Sequence, residues 1–172
     1  MDFRFRILDF SVSFMAIYQI IFLLFFPACM VILRQVIWSS ELTHQLLAVG
    51  IFFFCIEQAN MANQDLQQVA DAKTKVKDGR IDIFQSITII TIIIELIGFY
   101  LSSIYLGWGS ILILFALIWF NLFANIKINY SAKNVIESWN ITERLPVLIA
   151  DAVGLILTSL WMFKIADLWI SW

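Results

Sequence analysis

The residues of this chain best able to bind, ionise or coordinate fall in one stretch, EQANMANQDLQQVADAKTKVKDGRI, Glu57 to Ile81. Placed at about 100° per residue, as on a helix, they separate into two faces. Glu57, Asn60, Gln64, Gln67 and Asp71 form one stripe, and Ala59, Ala62, Leu66, Val69 and Val76 the opposite one. A row of carboxylate and amide oxygens suits a hard cation or a ligand that carries one. The same pattern suits a solvated helical connector with a narrow apolar seam.

Other polar residues stand alone in apolar surroundings. Glu95 lies in TIIIELIGFY. A charge at the centre of a membrane helix costs roughly 2.5–3.5 kcal/mol on insertion scales, and residues of this kind mark ion paths or interhelical hydrogen bonds. At helical spacing Glu95 shares a face with Thr88, Thr91, Gly98 and Ser102, a stripe of small and polar groups that forms a packing seam. Asn121 and Asn125, at i and i+4, are placed to face Glu95 as interhelical glue. Glu41 and His44, and Lys164 and Asp167, are i, i+3 pairs near one membrane surface; a single His is weak evidence for a metal. Cys29 and Cys55 read as small buried hydrophobes, since two cysteines in apolar runs make neither a disulfide framework nor a zinc site. No Ser-His-Asp set, Walker loop or Gly-rich nucleotide fingerprint occurs.

The elements that position these groups are membrane helices. Of 172 residues, 62% are hydrophobic and 14% charged, and the mean hydropathy is +0.89. Soluble domains run near ~45–50% apolar and ~25% charged. The net charge of -2 offers nothing to nucleic acid. A spanning helix needs about 20 mostly apolar residues. The pattern predicts a single integral membrane domain over 1–172, an all-α polytopic transmembrane helix bundle with spans at 10–33, 38–56, 83–105, 108–128 and 145–170. The second span continues as a cytosolic amphipathic helix to about residue 78, within a connector over 57–82 that Gly79 closes. With the N-terminus inside, Arg4, Arg6, Lys73, Lys75, Lys77, Arg80, Lys127, Lys133 and Arg144 fall on the inner side, nine of eleven basic residues. That is the positive-inside bias, and it requires the second span. Trp38, Trp108, Trp169 and Trp172 fall at the outer interface. Arg4 and Arg6 before an apolar run resemble a signal peptide, but the run is long and no small-residue cleavage site follows, so an uncleaved first span is expected. Pro27 is expected to kink the first span, and Pro146 to open the last.

The order of these features resembles the first half of the UbiA family of intramembrane prenyltransferases. A span ends in Gln58-Ala59-Asn60 and Asn63, acids and amides follow to Asp71, and Gly79-Arg80-Ile81 leads into the next span. Tyr130-Ser131 comes after the fourth span, and RLPVLIADAVG opens the fifth. In that family the acids of an Asp-rich motif hold Mg²⁺, and the metal holds a prenyl diphosphate. The resemblance implies ligand-binding roles for Asn60, Asn63, Gln64, Gln67, Asp71, Tyr130, Arg144 and Asp151, with Asp71 and Asp65 the candidate metal ligands. Asn63 matches the motif's leading Asn and Asp71 its last Asp, while Gln64 and Gln67 stand at the two middle aspartates. The family's second Asp-rich motif has no counterpart in these 172 residues.

Three functions are compatible with these residues. The first is a small non-catalytic membrane protein, an accessory or assembly subunit that packs against other membrane subunits or itself. The second is a UbiA-like isoprenoid-binding protein or half-enzyme, with Mg²⁺ as cofactor and any catalysis of prenyltransferase type. The third is a small proton- or ion-coupled transporter using Glu95. Each places the chain in lipid as a multi-pass protein, of a prokaryotic inner membrane or a related organellar membrane.

Overall fold

In lipid a spanning backbone must satisfy its own N–H and C=O groups, so long apolar runs become helices. The computed structural model describes residues 3–128 and 135–163, with side chains at 17 and from 19 onward. Tyr130, Lys133, Lys164, Asp167, Trp169 and Trp172 lie outside the described residues. The helices are α1 (Phe3–Trp38), α2 (Leu42–Lys75), α3 (Gly79–Ser102), α4 (Leu106–Phe123) and α5 (Ile141–Met162). All five are long and apolar enough to cross a membrane, as an all-α bundle requires. α1 packs on α2, α2 on α3, α3 on α4 and α4 on α5, with a further contact of α1 on α3.

Several boundaries differ from the expected ones for local reasons. α2 stops at Lys75, before Gly79, and Gly79 instead begins α3. Asp78 sets that start: its side chain accepts the Arg80 backbone N–H at 2.9 Å and pairs with the Arg80 guanidinium at 2.7 Å. α4 ends at Phe123 rather than 128, because Ile126–Ile128 (β1) pairs antiparallel with Ile136–Ser138 (β2). Lys127 faces Glu137 across this ribbon and also reaches Glu143, at 3.0 Å. α5 begins at Ile141, so Pro146 lies past its first turn rather than at its start. α1 runs unbroken through Pro27.

Two apolar clusters hold the bundle. One joins Ile21, Phe25, Ala28, Cys29 and Ile32 of α1 to Cys55 and Ala62 of α2, Ile92 and Phe99 of α3, and Ile113 of α4. The other gathers Val69, Ala72, Ile81, Phe84, Ala124 and Ile126 where the ribbon closes over the α2–α3 hairpin. The expected seam on α3 is buried throughout: Thr88, Thr91, Glu95, Gly98 and Ser102. It brings α3 onto α4 with almost no side chain between them. A Cβ on Gly98 would stand 2.6 Å from Ile113 Cγ1, and one on Gly109 would run into the Ser102 backbone.

Candidate functional site: a carboxylate-lined cavity among α2, α3 and α4

α2 turns one continuous stripe inward: Cys55, Gln58, Ala62, Val69 and Ala72 are buried, and Asp65 falls in the same row. The three- and four-residue steps are those of a helix face. Because only Val76–Asp78 joins α2 to α3, the two helices run antiparallel, and the Asp65 turn comes to rest beside Thr88 and Thr91. The result is a cavity of about 40 Å³. Gln58, Met61 and Asp65 line it from α2, Thr88, Thr91 and Glu95 from α3, and Leu117 and Phe120 from α4. A space of this size admits one or two waters or a small ion.

Its walls are largely apolar surface, with five polar side chains among them. Thr88 donates its hydroxyl to Phe84 O at 3.0 Å and Thr91 to Ile87 O at 2.9 Å, so both hydroxyl hydrogens are committed within α3. What these oxygens retain is lone pairs. Glu95 is only 2% exposed, yet among the described residues neither its carboxyl nor that of Asp65 has a hydrogen bond or an ion pair. The two carboxyls line the same cavity from facing helices, Asp65 from α2 and Glu95 from α3. A buried carboxyl without a partner is neutralised by a proton, and a bound cation would serve the same end.

The residues picked out by the family resemblance are dispersed. Glu57, Asn60 and Gln64 are exposed, and Asp71 is partly buried. Asn60 borders a groove between α1 and α2. Asn63 Oδ1 accepts a hydrogen bond from Gln67 Nε2 at 2.8 Å, so the two amides engage each other along α2. Asp65 faces the cavity instead of this stripe. Among the described residues no three His, Cys, Asp or Glu side chains converge on a metal position. Of the two candidate metal ligands, Asp65 lines the cavity and Asp71 does not.

Arg144 and Asp151 serve a different junction. They are the buried residues of α5, both on its α4 side. Arg144 Nη1 donates to Asn121 O and, at 2.7 Å, to Ala124 O, while Nη2 donates to Trp139 O at 3.0 Å. Its guanidinium also lies over the Trp139 ring, 4–6 Å away as such pairs require, at 5.3 Å from the centroid. The side chain therefore caps the last carbonyls of α4. Asn121 Nδ2 donates to Leu117 O at 3.0 Å and stands 3.5 Å from Asp151 Oδ2, so it turns to α5 and not to Glu95. Asn125 lies beyond α4 altogether, exposed, its carbonyl accepting the Trp139 N–H at 2.9 Å.

Outside the spans, the Arg80 guanidinium holds Asp78 below the usual carboxylate range, and Glu143 holds Lys127 above the usual ammonium value. At the other end of the bundle, Glu41, His44, Tyr105, Trp108 and Trp161 surround an open cavity of about 420 Å³. His44 contacts Gln35 Oε1 at 3.2 Å there, and Gln35 Nε2 donates to Ser103 O at 2.6 Å.

That Gln58 and Asp65 turn inward was not expected from their polarity. The signal that finds them is the helical row Cys55, Gln58, Ala62, Asp65, Val69, Ala72, read by spacing rather than by polarity. Comparison with protein-family models, with curated proteins and with solved structures finds no match to this chain.

Proposed function

We propose that this chain is a small ion-coupled membrane transporter, taking a proton or a sodium ion into the Asp65–Glu95 cavity. The observation that carries this reading is Glu95, 2% exposed, lining a small cavity that Asp65 also lines, with no hydrogen-bond or ion-pair partner among the described residues. A proton or a bound cation offsets the cost of burying an unpaired carboxylate. Asp65, less enclosed than Glu95, gives the route by which the ion enters or leaves.

The test is flux into liposomes. Protein reconstituted at defined density should move H⁺ or Na⁺ down an imposed gradient, read with a pH-sensitive dye in one arm and a sodium-sensitive dye in the other. Glu95→Gln keeps the shape and removes the charge, and it should abolish the flux. Asp65→Asn should reduce it. Flux unchanged in Glu95→Gln, or none above empty liposomes in either arm, sinks the reading.

A second reading, a subunit of a larger membrane complex, draws support from α5. Val147, Ile149, Val153, Ile156 and Leu157 are all exposed, and no large apolar side chain of that helix is buried in this chain. Detergent extraction followed by mass spectrometry of co-purifying subunits tests it.

A further inference from the structure

We propose that Cys29 and Cys55 are a membrane-embedded dithiol that a lipid-soluble quinone closes to a disulfide, tying α1 to α2. The two are the chain's whole complement of cysteine, and both thiols are free. They come from neighbouring helices, 26 residues apart, and their sulfurs meet at 2.7 Å. That is closer than unbonded sulfurs ordinarily pack, and about 0.7 Å longer than a disulfide bond. Ala28 and Ile32 of α1, each fully buried in the same apolar cluster as Cys55, pack the two helices together on either side of Cys29.

The surroundings select the oxidant. Cys29 is 7% and Cys55 0% exposed, inside the apolar cluster of the bundle, where a charged tripeptide thiol or a protein disulfide cannot reach. Cys29 does border a groove of about 260 Å³ between α1 and α2, walled by Phe22, Phe26, Met30 and Phe52. Phe22, Phe26 and Met30 are each about half exposed on the outer, lipid-facing surface. An oxidant dissolved in the membrane can approach along that groove. A quinone has the required stoichiometry. The two S–H bonds break and one S–S bond forms. The thiols give up two electrons and two protons, and the quinone takes both to become the hydroquinone. A dithiol reductant reverses the step by exchange through a mixed disulfide.

The consequence reaches the carboxylate cavity through one helix face. Cys55 lies one turn from Gln58 on the inward stripe of α2, so a covalent tie at Cys55 fixes the rotation of the helix that presents Gln58 and Asp65. The dithiol does not depend on the transport reading and is tested apart from it.

The experiment uses the full chain, reduced, in lipid nanodiscs. It is incubated with a short-chain ubiquinone analogue, quenched in acid, unfolded, and alkylated with a maleimide that adds mass to each free thiol. The expected result is that both thiols disappear from the monomer, the intact mass falls by that of two hydrogens, and dithiothreitol restores both. Cys29→Ala and Cys55→Ala should each keep the remaining thiol alkylatable and lose no mass. Two free thiols in wild type after excess quinone would overturn the proposal, and so would thiol loss that appears only as a cross-linked dimer. The wild-type readout stands by itself should either variant fail to fold.

Discussion

The α3–α4 crossing holds Glu95 in place, and its glycines make a graded test of that packing. In Gly109→Ala the new methyl would meet the Ser102 backbone N and the Gly98 carbonyl, which no side-chain rotation can move. The helices must part, and the loss belongs at the top of the overpacking range, about 3 kcal/mol. In Gly98→Ala the methyl meets Ile113 Cγ1 at 2.6 Å, together with Gly109 O and Ile113 N at 3.2 Å. A side-chain atom can shift, so about 1–2 kcal/mol is expected. Gly154→Ala touches only the Leu114 methyls, at 3.3 and 3.6 Å, and should stay within about 0.5 kcal/mol of wild type. Gly50→Ala meets nothing within 4 Å. In water an alanine would add about 0.8–1.0 kcal/mol of helix propensity. In lipid the dissociated helix stays helical, so most of that gain cancels and the variant serves as a neutral reference. The assay is reversible unfolding in mixed micelles, with steric trapping of a doubly tagged chain in bicelles as the check in lipid. The order Gly109 > Gly98 > Gly154 ≈ Gly50 is the claim. A Gly109→Ala protein as stable as Gly50→Ala would show that α3 and α4 do not cross at this point, and the position of Glu95 would fall with it.

Two further outcomes follow from the same contacts. Arg144→Met removes a charged fork from three carbonyls and strands them beneath Trp139, which should cost about 2–4 kcal/mol in the same unfolding assay. Arg144→Lys should recover part of the loss, and equal stability of Met and wild type would deny Arg144 its capping role. A prenyl diphosphate with Mg²⁺ should leave the melting temperature unchanged, because Asn63 and Gln67 engage each other and Asp65 points into the cavity. A Mg²⁺-dependent rise that Asp71→Ala removes would favour the prenyltransferase-like reading instead.

The sequence was most informative where lipid physics leaves one solution. Five apolar runs gave five helices, and the small-residue spacing Thr91, Gly98, Ser102 gave the α3 seam. Boundaries were less legible where local hydrogen bonds compete with helix. Residues 126–128 carry Ile on either side of Lys127 and extend the apolar pattern of α4, but they pair with Ile136–Ser138 instead. Nothing within that short run distinguishes a strand from a last turn, because the partner strand is what decides. Asn125 changed role for the same reason. Its i, i+4 relation to Asn121 means a shared face only while the helix continues, and α4 stops at Phe123.

The polar arm was half legible, and the other half carries the functional argument. Sorting α2 by polarity sends Glu57, Asn60 and Gln64 outward and Ala62 and Val69 inward, as found. The method assumes that what is buried is apolar. It fails for Gln58 and Asp65, because the interior of a membrane bundle is where polar groups are sheltered from hydrocarbon. The helix is 34 residues long, about 51 Å at 1.5 Å per residue, against a hydrocarbon core of about 30 Å. A helix that long overshoots one leaflet. Since α2 turns back through Val76–Asp78, its overshoot lies against the first turns of α3 and under the ribbon, not free in water. The arm is therefore one wall of the bundle: Asn60 and Gln64 face outward, while its inward row sets Gln58 and Asp65 beside the Thr88–Glu95 face of α3.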